Sequence, residues 1–209
     1  MEGMVGWEEW LWEEQIEAMP VLQEFVLRTC EILTHLPPGL AFHARALKIL
    51  ILHHAHSLLS VENFPSLVEL DVSCCHELTG ITNLPNLHKL SINGCPVLEV
   101  LTGVPELRRL FLGDHNMSRL PRYLCHLNLA HLTLCCDLPV LCSMALGNNT
   151  PEWIMFQNIQ RVEAYDHDGK YRVSYTKHPR YLETNISDLL LSIPRCGCQR
   201  LHLYNKRGS

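Results

Sequence analysis

Thirteen histidines, ten cysteines and 22 carboxylates in 209 residues raise the question of what they can ligate or catalyse. Cys196-Gly-Cys198 with His202 is half of a zinc site, and a second pair at zinc spacing is missing from the sequence. His53-His54-x-His56 falls on an expected strand and the turn after it. Alternation there sends adjacent side chains to opposite faces, so the group reads as surface and edge histidine. Asp166-x-Asp168-Gly169 opens like a calcium loop, but Lys170 and Tyr171 follow where ligands are needed, and it reads as a hairpin turn. Glu8, Glu9, Glu13 and Glu14 stand at helical spacing among Trp7, Trp10 and Trp12, which suggests an amphipathic face and not an acid–base pair. The chain carries no phosphate loop, dinucleotide glycine pattern, nucleophile elbow or H-E-x-x-H. The expectation is a protein with no enzymatic activity, no cofactor and no metal.

The elements that must position these residues are repeats. Pro65-x-Leu67-x-x-Leu70-x-Val72-x-x-Cys75-x-x-Leu78-x-x-Ile81 is followed by Pro85-x-Leu87-x-x-Leu90-x-Ile92-x-x-Cys95-x-x-Leu98-x-x-Leu101. Pro105-x-Leu107-x-x-Leu110-x-Leu112 opens the next unit, so the three prolines stand 20 residues apart. Pro20 to Leu36 keeps the same frame, Leu47 to Val61 keeps it without the proline, and Leu129-x-x-Leu132-x-Leu134 closes the series. This period and core pattern are those of leucine-rich repeats. The expected fold is therefore an α/β leucine-rich-repeat solenoid. It would have a curved parallel β-sheet, an irregular or 3-10 convex side and a small irregular C-terminal segment.

Three regions follow from that frame. Residues 1–18 are a Trp/Glu-rich lead-in or partial repeat, and 19–142 are the repeats. Residues 143–209 are atypical, with a β-hairpin over Arg161–Tyr175 and a degenerate last repeat over Leu189–Tyr204. Glu152–Ile159 fits a short helix or a strand equally well.

In each L-x-L strand the leucines point inward and the alternating residues point out. The candidate binding face is then Glu24, Arg28, Lys48, His53, Glu69, Asp71, Lys89, Ser91, Asn93, Arg109, Phe111, Asp114, His131 and Thr133. Its signs are mixed and the net charge is -5, which gives no argument for nucleic acid as a partner. No apolar run reaches the ~18 residues of a membrane span. The acidic N-terminus does not read as a signal peptide. Cys30, Cys75 and Cys95 share the position after the strand, where a thiol acts as a small hydrophobe, and are expected reduced. The sequons at Asn116, Asn148 and Asn185 are accordingly expected unused.

Several phrases are more specific than a generic repeat: Asn63-Phe-Pro-Ser-Leu67-x-Glu69-Leu70, Leu33-x-x-Leu36-Pro37-x-Gly39-Leu40, and Met4-x-x-Trp7-Glu-x-Trp10 leading to Met19-Pro20-x-Leu22. With the Pro-x-Leu openings and Cys-x-x-Leu turns, residues 4–141 resemble the C-terminal repeat portion of plant intracellular nucleotide-binding leucine-rich-repeat disease-resistance proteins of the cereal type. The resemblance implies a protein-recognition module in plant defence that lacks its nucleotide-binding domain. Its partners would be a pathogen effector, a guarded host protein or the receptor's own nucleotide-binding domain. It also implies a cytoplasmic location, with nuclear or peripheral-membrane placement through partners. The alternative is a free-standing leucine-rich-repeat adaptor or ubiquitin-ligase substrate-recognition protein.

Overall fold

The recurring prolines sit where the chain must reverse. In the computed structural model Leu67, Leu87 and Leu107 donate their amides to the carbonyls of Phe64, Leu84 and Val104 at 3.4, 3.1 and 3.2 Å. Pro65, Pro85 and Pro105 thus occupy the second position of a tight turn, which suits their fixed φ. The structure describes residues 19–37, 39–114, 117–146, 151–156 and 158–186. The lead-in, the Cys196–His202 group and the degenerate last repeat lie outside them.

The chain divides into two compact units, Met1–Leu112 and Gly113–Ser209. The division falls inside the stretch that the repeat spacing assigns to one array ending at 142. In the first unit the chain forms β1 (Glu24–Arg28), α1 (Leu40–His43), β2 (Ile49–His53), β3 (Ser60–Glu62), β4 (Glu69–Ser73), β5 (Gly80–Thr82), β6 (Lys89–Asn93), β7 (Val100–Thr102) and β8 (Arg109–Gly113). The long strands lie in the order β1-β2-β4-β6-β8, and β1/β2, β2/β4 and β4/β6 are parallel and in register. The short strands β3, β5 and β7 make a second parallel sheet. The first unit is a β-solenoid.

The expectation of an irregular or 3-10 opposite wall is corrected by that second sheet. Its strands bury one residue each, Val61, Ile81 and Leu101, and a single inward residue leaves no alternation to read. Their hydrogen bonds come from the neighbouring coil, which local sequence does not reveal.

Two kinds of left-handed corner recur along the coils. One follows the long strand, at Thr29, His54, Cys74 and Gly94 with φ of 58, 55, 53 and 61°. The other follows the short strand, at Asn63, Asn83 and Gly103 with φ of 64, 54 and 68°. The corner amides extend the ladder to the next coil, as in His54 N to Ser73 O at 2.9 Å and Cys74 N to Asn93 O at 2.8 Å. Between corners a 20-residue coil directs a full set of side chains inward. In one coil these are Leu67, Leu70, Val72, Cys75, Leu78, Ile81 and Leu84, each fully buried. Each such Leu contributes about 1.5–3 kcal/mol. One coil cannot bury its own faces, so stability comes from stacking.

The second unit holds a 3-10 turn (Arg122–His126), β9 (His131–Cys135), α2 (Leu138–Leu146), α3 (Pro151–Met155), β10 (Arg161–Tyr165), β11 (Arg172–Thr176) and β12 (Tyr181–Thr184). The expected hairpin is present as antiparallel β10 and β11, and β12 adds a third antiparallel strand. The segment is more regular than its sequence suggests, because β10 also pairs in parallel with β9. That crossover runs through α2 and α3, whose period of 3.6 hides the 20-residue frame. The ambiguous segment after Pro151 is resolved as helix over α3. No helix among the described residues is long and apolar enough to cross a membrane.

Candidate functional site

Strict in-register stacking turns the outward residues of the first unit into rungs. Glu24, Ile49, Glu69 and Lys89 form one; Val26, Ile51, Asp71 and Ser91 the next; Arg28, His53, Ser73 and Asn93 the third. Arg109 and Phe111 take the outward positions of β8, whose burial alternates in the same way. Twelve of the fourteen residues expected on the face are outward strand positions. Lys48 and Asp114 are not.

Lys48 precedes β2. Its amide donates to Gln23 O at 2.8 Å, and its carbonyl accepts the amides of Val68 and Glu69 at 2.8 and 2.9 Å. Ile49 occupies the rung in its place, pairing with Glu24 and Glu69. With Leu50 and Leu52 inward in the repeat frame, strict alternation puts Ile49, and not Lys48, on the outward side. Asp114 lies one residue beyond β8, and its amide donates to Cys135 O at 3.1 Å.

Neighbouring strands set acidic beside basic side chains, both within a rung and between rungs. Lys89 Nζ forms an ion pair with Glu69 Oε1, and His53 Nε2 lies 3.7 Å from Asp71 Oδ2. Side chains so exposed gain only about 0–1 kcal/mol from such pairs. Their effect is to hold carboxylate, ammonium and imidazole in fixed order on a rigid sheet.

In the second unit His131 and Thr133 are outward on β9, opposite Arg161 and Glu163 of β10. Glu163 is shared: Arg161 donates to its Oε1, and His131 Nε2 lies 3.4 Å from its Oε2. Sequence reasoning missed Arg161 and Glu163 as partners of β9. The alternation in Arg161-Val-Glu-Ala-Tyr165 is legible and predicts the hairpin, but nothing local in it signals the parallel pairing with β9.

The histidine-rich stretch is dispersed. His53 faces Asp71, His54 is a left-handed corner, and His56 stacks on His76 with centroids 4.7 Å apart. The repeated cysteines serve the backbone. Cys75 Sγ donates to Ser73 O at 3.5 Å and Leu52 O at 3.7 Å, and Cys95 Sγ to Asn93 O at 3.6 Å. Cys30 does the same toward Arg28 O at 3.8 Å. Contact with Cys75, with burial added, pushes the Cys95 thiol up, and burial pushes Cys136 up to about 12. Protonated, buried thiols of this kind fill space and are not nucleophiles. On the short-strand side a cleft of about 370 Å³ opens between α1 and β3, lined by His35, Leu40, Phe42, Glu62 and Phe64 among others.

No protein-family model, no curated protein and no solved structure matches this chain.

Proposed function

We propose that this chain is the protein-recognition module of a plant immune receptor, built as a leucine-rich-repeat solenoid. The observation that carries this reading is the set of outward rungs on β1, β2, β4 and β6, with acidic, basic, apolar and hydroxyl side chains held in register. Solenoids bind through extended sheet faces of this kind, and mixed chemistry at fixed spacing suits a folded protein better than a polyanion. Inward L-x-L leucines and a cysteine bonded to strand-end carbonyls support the leucine-rich type. The partner is a pathogen effector, a guarded host protein or the receptor's own nucleotide-binding domain, met in the cytoplasm or where a partner carries the receptor.

The test is affinity capture from infected and healthy cereal tissue. Wild type is compared with Lys89→Glu/Arg109→Glu on the face and with Glu99→Lys off it, the melting temperatures being matched. Selective loss of a captured protein from the face variant is the expected result. Equal retention by all three sinks the reading. An immunoblot of the same tissue separates the two forms it can take. A band far above the mass of 209 residues fits a receptor fragment, and a band at that mass fits a free-standing adaptor.

A further inference from the structure

Three side chains of the second unit form a connected chain. Cys135 ends β9, Asp137 stands two residues later just before α2, and His167 lies in the loop between β10 and β11. Cys135 Sγ is 3.4 Å from His167 Nδ1, and His167 Nε2 is 3.3 Å from Asp137 Oδ1. Backbone bonds hold both sides. Cys136 N donates to Tyr165 O at 3.1 Å, Asp166 N to Tyr171 O at 3.1 Å, and Tyr171 N to Asp166 Oδ1 at 2.9 Å.

An ionised carboxylate only accepts hydrogen bonds, so Asp137 places the ring proton on Nε2 and leaves Nδ1 to accept from the thiol. This is the order of nucleophile, base and orienting group. The two ring nitrogens address different partners, so the three groups do not converge on a common centre. Among the described residues no such trio is arranged to hold a metal.

We propose that Cys135 is a base-assisted nucleophilic thiol that captures soft carbon electrophiles of the α,β-unsaturated carbonyl class. The sulfur forms a bond to the β-carbon while the C=C π pair moves toward the carbonyl. His167 Nδ1 takes the thiol proton, and the imidazolium, stabilised by Asp137, returns it to the α-carbon. Nothing is oxidised and no group leaves, so the step needs only a nucleophile and a proton carrier. Burial, and then the Asp166 charge, raise the Cys135 thiol above its ordinary range. The resting form is therefore the neutral thiol, and proton removal must accompany bond formation. That is the circumstance in which a positioned base matters.

The experiment treats the full chain with limiting N-ethylmaleimide and follows each cysteine by peptide mass spectrometry, with exposed Cys125 as the internal reference. Cys135 is expected to react faster than Cys125 at pH 7 although it is less exposed. His167→Gln should slow Cys135 by roughly ten-fold or more, and Asp137→Asn by less, with Cys125 unchanged. In wild type the Cys135 rate should climb less steeply above pH ~7 than the Cys125 rate, because base-assisted attack does not wait for free thiolate to accumulate. The pH profile needs no variant, so it decides the matter even where a variant folds poorly. A Cys135 rate indifferent to His167→Gln in a folded protein, or a profile that tracks Cys125, overturns the proposal.

Discussion

Asn83 donates its side-chain amide to Asn63 Oδ1 at 2.7 Å, and the two residues hold the same left-handed corner in successive coils, with φ of 54 and 64°. Asparagine tolerates that conformation better than other residues with a side chain. The third corner of the column is Gly103, φ 68°, where an added Cβ would lie 2.8 Å from Asn83 N and 2.9 Å from its Cα. The column is therefore tight at its backbone as well as bonded at its side chains.

Gly103→Ala should cost about 2–3 kcal/mol, combining left-handed strain of ~1–2 kcal/mol with the backbone clash. Gly94→Ala meets similar strain at φ 61°, but its nearest neighbour, Cys74 N, is 3.8 Å away. It should cost only about 1 kcal/mol. Urea midpoints distinguish the two, and equal losses would mean that close approach at Gly103 is unimportant.

Leu90 is fully buried on β6 beside exposed Lys89. Leu90→Ala should destabilise by ~2–5 kcal/mol through the cavity it leaves. Lys89→Glu loses the ion pair to Glu69 and should shift stability by no more than about 1 kcal/mol. Thermal melts of the two variants test the assignment of faces.

Pro85 precedes the amide-to-carbonyl bond from Leu87 to Leu84 at 3.1 Å. Pro85→Ala keeps that turn and enlarges the conformational freedom of the unfolded chain. The expected loss is about 0.4–1 kcal/mol. It should appear in the denaturant midpoint with the m-value unchanged.

Cys136 is buried and raised from 9.0 to about 12. A thiol held protonated in the fold binds its proton more tightly than in the unfolded chain. Its contribution is fully present below pH 9.0 and is lost as pH rises toward about 12. Stability should fall across that window by up to about 1.4 kcal/mol per pH unit from this group. Cys136→Ala should flatten the slope there, measured by urea unfolding at stepped pH. An unaltered slope would assign the alkaline loss to other groups.

The sequence alone determined which residues face inward on β4 and β6, where Pro65, Pro85 and Pro105 turn the chain, and that Asp168-Gly169 caps a hairpin. Each of these is a local matter of side-chain periodicity or backbone preference within a few residues. Tertiary structure decided the rest. The wall formed by β3, β5 and β7 exists because neighbouring coils supply its hydrogen bonds. The corners at His54, Cys74 and Gly94 share a conformation without sharing a residue type, since coil closure imposes it. Cys135 meets His167 across 32 positions because β10 pairs in parallel with β9. Periodicity reports which face of an element is buried; it carries no information about which distant element lies against it.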